Sequence, residues 1–298
     1  MKVYHNSFSA MGSRFNAVFP YEDDGLCEKL FHLIKNEVIR LEAKLSYFDE
    51  KSVVSEINRS ASKSAIELDD EMFDVIKTSL SYSEKTSGSF DITMRPIIET
   101  ILADKKNGNG DRELKSRLAE IELDDEQKTI RYKSDLTKID FGGFGKGYAL
   151  EKIKQLIINS SMETAFISFG ESSILTKGKH PSGKKWSVGI NDIFNPGESL
   201  YAFDLEDESI SSSSNYYSDD SGRVQKKVNV INPFTAKPVD ELGILSVKSS
   251  SPLEAEILST AFLVMDDSQI QNAIHEFKNL EVVKILYNDN KPNIKYYN

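Results

Sequence analysis

Apolar residues recur at helical spacing over 24–45, where Leu26, Leu30, Ile34, Val38, Leu41 and Leu45 share one face. That stripe predicts a long amphipathic helix. A second stripe, Met72, Phe73, Ile76 and Leu80, predicts a helix over 69–85 that stops at Thr86-Ser87-Gly88, with the glycine at C′. A short helix, IIETILA, follows Pro96, and KKNGNGDR at 105–112 reads as a loop and insertion point. A further helix covers about 146–159. Beyond it the pattern shortens to β-like runs, TAFISF, SSILTKG, KWSVGI, SLYAFDL, KKVNVI and GILSVKSS, separated by turn signals such as HPSGKK and NPGE. Helices return at 252–265 and 267–277, and the strand EVVKILYN nearly ends the chain. This is an α+β pattern, a mostly antiparallel sheet with packed helices. No internal repeat and no boundary between folding units stands out, so residues 1–298 are read as one domain.

One junction carries chemistry. Asp140-Phe141-Gly142-Gly143-Phe144-Gly145-Lys146-Gly147 joins the strand-and-turn segment KTIRYKSDLTKI to the helix YALEKIKQLII. Glycines leave backbone N–H groups unshielded, and at a helix start those groups and the helix dipole point at an anion. Lys146 adds a full charge, which suits a pyrophosphate cradle. The loop is neither a Walker A sequence, since Gly147 stands where Ser or Thr is needed, nor GxGxxG. The alternative is a tight turn with a solvated lysine.

Three other groups each admit two readings. In TSGSFDIT (86–93), Asp91 and Thr93 either orient a ligand's polar edge or form an Asx-type turn. Ser211 to Ser214 with Asn215 and Tyr216 form either a polar ligand wall or a Ser-rich loop. Glu256 and Thr260 lie one helical turn apart, which stacks two oxygens suited to a hard cation such as Mg²⁺. The same pair is equally a solvated glutamate and a threonine bonded to its own backbone.

Composition narrows the function classes. A formal charge of −10 argues against nucleic acid and weakens any case for an anionic membrane surface. The single cysteine, Cys27, allows neither an intrachain disulfide nor a cysteine zinc site. His5, His32, His180 and His275 show no ligand spacing with one another, and neither HExxH nor a Ser-His-Asp signature occurs. No apolar run is long enough to span a membrane, and the start has no signal-peptide core or lipobox cysteine. The chain as written is expected to be cytoplasmic, with a periplasmic or membrane-anchored location only if a leader was removed.

Taken in order, these segments resemble the FAD:protein FMN transferase (ApbE) family from Met11 to about Asp266. Met11-Gly12-Ser13 is similar to its opening MGT, and LSYFDEKSVVSEINRS to its S-x-Y and serine-rich segment. TSGSFDITMRP, DFGGFGKGY, KWSVGI with Trp186, SSSS, NVINPFTAKPV and AEILSTA are similar to its later blocks. The resemblance implies a T-shaped α+β fold with an FAD cleft, a divalent ion on the pyrophosphate, and transfer of FMN to a Thr or Ser hydroxyl with release of AMP. The acceptor would be another protein carrying D-x-x-[ST]-G-A-[ST], which this chain lacks. By position, Met11, Tyr47, Ser89, Phe90, Asp91, Asp140, Lys146 and Ile231 would contact FAD. Gly143 (through its carbonyl), Glu256, Thr260 and Ser259 would hold Mg²⁺, while Lys146 and Asn229 occupy the catalytic positions.

The chain departs from the family pattern at Asn229 (family His), Asn232 (Asp), Glu256 (Asp), Ala236 (Gly) and Ser214 (Gly). Asn229 cannot take a proton near neutral pH, and losing a general base typically costs ~10²–10⁴-fold in rate. Alternative readings are therefore FAD hydrolysis to FMN and AMP, or a flavin-binding protein without transfer.

Overall fold

The structure, a computed structural model, describes residues 2–21, 24–107, 115–219 and 222–298. In chain order the elements are β1 (Lys2–Ala10), β2 (Ser13–Tyr21), α1 (Asp24–Leu45), α2 (Val53–Ser60), β3 (Ile66–Glu67), α3 (Asp70–Lys85), α4 (Arg95–Asn107), β4 (Ile121–Asp124), β5 (Thr129–Tyr132) and α5 (Gly145–Ile158). The second half follows with β6 (Ala165–Phe169), β7 (Ser173–Lys177), β8 (Trp186–Asn191), β9 (Ser199–Leu205), β10 (Ser209–Ser214), β11 (Tyr216–Ser218), β12 (Val224–Lys226), β13 (Ile231–Asn232) and β14 (Lys237–Pro238). It ends with β15 (Gly243–Ser249), α6 (Pro252–Val264), α7 (Asp267–Ala273), β16 (Glu281–Asn288) and β17 (Lys291–Tyr297).

The eight-stranded sheet runs β1-β2-β6-β7-β10-β15-β16-β17, and every neighbouring pair is antiparallel. The expected α+β class is therefore observed. Helices α1, α5 and α6 cover one face, burying Ile34, Val38, Leu41, Ile153 and Phe262. The other face carries the β8–β9 hairpin, whose Trp186, Phe203 and Leu205 pack on Ile174, Ile210, Val283 and Ile285. Strand side chains alternate between faces. Ile174 and Ile210 pair across β7 and β10 toward the hairpin, while the next pair, Ser173 and Ser211, faces α6. This alternation delivers two hydroxyls to one spot on the helical side.

Local chemistry explains the helix ends. Asp69 caps α3 by accepting the Met72 N–H at 2.8 Å, and Ser251 caps α6 ahead of Pro252. At the C-terminus of α3, Ser87 N–H donates to Glu84 O and Gly88 N–H to Ser83 O. That is a Schellman pair with Ser87 at C′ (φ 50) and Gly88 one residue later, so the expected C′ glycine shifts by one.

Other expectations change too. The terminal hairpin β1–β2 had no clear sequence signal, because most of β1 is exposed or half-buried. Ser209–Ser214 is an interior strand rather than a loop; pairing on both sides overrides the weak strand preference of serine. The run KKVNVI is not one strand: β12 ends at Lys226 and β13 begins at Ile231. The expected helix over 267–277 is α7 followed by a 3₁₀ turn at Ile274–Glu276. Of the expected loop at 105–112, residues 105–107 extend α4 and the rest lies outside the described residues. Among the described residues no helix is long and apolar enough to cross a membrane.

Candidate functional site

A cleft of about 890 Å³ opens among several segments, including 89–95 after α3, 140–146 at the start of α5, the serines of β10, the 227–233 segment, and α6. Its floor is built by aromatic anchoring. Phe141 and Phe144 are buried with ring centroids 5.1 Å apart, and Phe144 meets Phe90 at 5.7 Å. These rings pull the glycine-rich loop onto the core and leave Gly142, Gly143 and Lys146 lining the cleft. Gly142 donates its N–H to Asp140 at 2.9 Å. Burial pushes the Asp140 carboxyl above the usual carboxylate range, and that backbone bond only partly offsets the shift.

Lys146 forms an ion pair with Glu256 Oε1, joining α5 to α6. The other oxygen, Oε2, accepts from Ser173 and, at 3.2 Å, from Ser211. Gly147 makes the approach possible. A Cβ there would lie 2.6 Å from Glu256 Cβ and 2.8 Å from Pro252 O. One turn along α6, Thr260 Oγ1 is 3.0 Å from Ser213 Oγ, which also meets Ser259 Oγ at 2.9 Å.

Asp91 accepts from both the backbone N–H (2.6 Å) and the hydroxyl (2.7 Å) of Thr93 through Oδ1. The Asx-type turn is thus present. Among the described residues its Oδ2 is buried without a partner, on a residue that lines the cleft. A buried unpaired carboxylate oxygen is costly, and a ligand donor would relieve it. The Asx-type turn thus uses only Oδ1 of Asp91.

The structure brings Ser89, Phe90, Asp91, Asp140, Gly143, Lys146, Asn229, Ile231, Glu256 and Thr260 to this one cleft. Ser259 stands behind its wall, fully buried. Met11 is in the β1–β2 turn (φ 48), its N–H bonded to Glu42, and does not line the cleft. Tyr47 lines a separate depression with Lys51, Arg59 and Lys138. Its hydroxyl bonds Glu99 at 3.3 Å, and burial, with the Glu99 charge adding to it, raises the phenol to about 12. Arg95 links the two places: it lines the cleft while its guanidinium sits 4.6 Å from the Phe48 ring and 5.5 Å from that of Tyr47.

Sequence reasoning missed Ser173, Arg95 and Lys227. Arg95 lay inside the TMRP block, but Ser173 gave no signal, because its partner Glu256 is 83 residues away. Two of the departures become clear. Asn232 Oδ1 accepts from the N–H groups of Phe234 (2.9 Å) and Thr235 (3.2 Å), a turn role that amide and carboxylate serve equally. Ala236 keeps the left-handed backbone (φ 52) that suits glycine.

Among the described residues no three His, Cys, Asp or Glu side chains converge as a metal cage. The donor chemistry nevertheless fits a hard divalent ion. Glu256, Thr260 and the Gly143 backbone share the cleft wall, and such ions use few protein oxygens when a phosphate supplies the rest.

The ApbE family model matches residues 11–284. The FAD:protein FMN transferase of Escherichia coli K12 is 23% identical over 280 aligned positions, covering 89% of this chain and 79% of that protein. A Klebsiella pneumoniae FAD:protein FMN transferase is 22% identical over 298 positions, covering 96% and 90%. Among solved structures, the ApbE protein of Thermotoga maritima superposes with a TM-score of 0.80 at 22% identity, covering 99% of this chain and 96% of that one. The Vibrio cholerae flavin transferase ApbE gives 0.81 at 17% identity, with the same coverage.

Proposed function

The chain belongs to the ApbE family, and on that premise we propose that it is a Mg²⁺-dependent FAD:protein FMN transferase. One observation carries the reading: the glycine-rich start of α5, Lys146, Glu256, Thr260 and Asp91, whose Oδ2 has no partner among the described residues, all line one cleft. In the proposed reaction a Thr or Ser hydroxyl of an acceptor protein attacks the flavin-side phosphorus of FAD. The new bond joins that oxygen to phosphorus, the bond from phosphorus to the bridging oxygen breaks, and AMP departs with the bridging oxygen. The acceptor would present D-x-x-[ST]-G-A-[ST].

The chain's own groups act mainly by position and charge. Lys146 binds the pyrophosphate with the Gly143 N–H, since the N–H groups of Gly142, Phe144 and Gly145 are bonded within the turn; Asp91 takes a donor from the ligand through Oδ2; Phe90 and Ile231 supply apolar walls. Glu256, Thr260 and the Gly143 carbonyl would hold Mg²⁺, which when bound would neutralise phosphate charge. Asn229 is exposed at the cleft and has no proton-accepting nitrogen, so the hydroxyl proton leaves to solvent or a phosphate oxygen.

The test is incubation of pure protein with FAD and Mg²⁺, with and without a domain bearing the acceptor motif, quantifying AMP and covalently bound FMN. Labelled acceptor with stoichiometric AMP is expected. AMP without label would make the protein an FAD pyrophosphatase. Bound but intact FAD would make it a flavin-binding protein, the reading that Asn229 favours.

A further inference from the structure

In this structure Lys146 occupies an oxygen that a bound cation would need. The carboxylate of Glu256 is 5% exposed, and its two oxygens are treated differently. Oε2 is saturated by the hydroxyls of Ser173 and Ser211, themselves 1% and 2% exposed, on neighbouring strands of a rigid sheet. Oε1, on a residue that lines the cleft, carries no partner but Lys146 among the described residues. A carboxylate oxygen offers two acceptor positions, but a lysine ammonium and a divalent cation on the same oxygen repel strongly where solvent screening is poor. One of them must leave. Lys146 is the mobile partner: its side chain is 20% exposed and starts in the first turn of α5, where Gly142, Gly143 and Lys146 line the cleft.

We propose that Lys146 holds Glu256 Oε1 in place of the divalent ion until a pyrophosphate draws it away, and that Ser173 and Ser211 are positioning residues which hold the carboxylate for that exchange. The inference rests on the Mg²⁺–pyrophosphate reading above and deepens it. Its consequence is coupling. FAD takes up the Lys146 charge, frees Oε1 and so favours the cation; the cation, by displacing Lys146 toward the cleft, favours FAD by the same factor. Neither ligand alone gains the full benefit, so the site resists loading metal without substrate.

The experiment is Mn²⁺ titration of the flavin-stripped full chain, followed by electron paramagnetic resonance, with and without FAD and with no acceptor present. Wild-type protein should bind Mn²⁺ weakly alone and at least tenfold more tightly with FAD. Lys146→Met keeps the stem and removes the competing charge, so it should bind Mn²⁺ alone about tenfold or more tightly than wild type, with most of the FAD enhancement lost. Ser173→Ala and Ser211→Ala should each weaken Mn²⁺ binding in the presence of FAD and broaden the Mn²⁺ spectrum, with the melting temperature lowered by a few degrees. Glu256→Gln should remove the tight site in both the wild-type and Lys146→Met backgrounds. Lys146→Met protein that melts like wild type yet binds Mn²⁺ alone no better would overturn the exchange while leaving the metal reading intact. If wild-type protein with FAD shows no tight Mn²⁺, or the tight site survives Glu256→Gln, the metal reading fails and the exchange falls with it.

Discussion

Gly147→Ala tests whether the contact between α5 and α6 sets the cleft. The added Cβ would lie 2.6 Å from Glu256 Cβ, 2.8 Å from Pro252 O and 3.2 Å from Leu253 Cα. Two of the three obstacles are backbone, so no rotamer change clears them. Carbon atoms rest at about 3.5–4.0 Å, so the helices must part by roughly 1 Å at this point. Overpacking of this kind costs about 1–3 kcal/mol, and exchanging a helical glycine for alanine returns about 0.5–1 kcal/mol. The net loss is about 1–2 kcal/mol, a fall of a few degrees in Tm for a chain of this size. The displacement acts directly on Glu256, drawing it away from Lys146, Ser173 and Ser211 together. With Mg²⁺ present, FAD affinity should therefore fall at least tenfold, more than the stability change alone implies. Differential scanning calorimetry and flavin fluorescence titration give the two numbers. A variant that melts at or above the wild-type temperature and binds FAD normally would refute the argument from helix approach.

Ala236→Gly should stabilise the protein by up to about 1 kcal/mol in urea unfolding, since a left-handed residue with a side chain costs ~1–2 kcal/mol and glycine's extra unfolded-state freedom returns only part of it (φ 52). Asp140→Asn should raise Tm at pH 7 while weakening FAD binding. Burial raises the Asp140 pKa in the folded state, so its charged form opposes folding above that pKa, and the penalty fades as pH falls toward the unfolded value. The stability gap between Asp140→Asn and wild type should accordingly narrow in acid, as followed by thermal melts across pH. Asn229→His places a titratable base at the exposed cleft position and should raise the transfer rate by ~10²–10⁴-fold, with a new acidic limb near pH 6.5 in the rate profile. Lys146→Ala should lower FAD affinity at least tenfold in the metal-free protein, measured by flavin fluorescence.

Much of the fold was legible because its signals are local. The stripe from Leu26 to Leu45 marked α1 to the residue, and the stripe from Met72 to Leu80 placed α3 within a residue of its observed bounds. The glycine-rich turn into α5 and the spacing of Glu256 and Thr260 were visible as two separate oxygen- or anion-directed features, since each depends only on neighbours within a turn of chain. Their meeting was implied only by the family resemblance and not by local chemistry. Lys146 and Glu256 are 110 residues apart, and their pairing depends on Gly147 letting two helices touch. The serine run read as either a polar ligand wall or a loop, and is an interior strand because β7 and β15 flank it. Ser173 had no sequence signal at all; its role follows from strand register, which sets Ser173 opposite Ser211 and turns both toward α6. Periodicity, caps and turn chemistry act over a few residues and can be read in order. Register and helix approach join segments a hundred residues apart, and only the packed tertiary structure decides them.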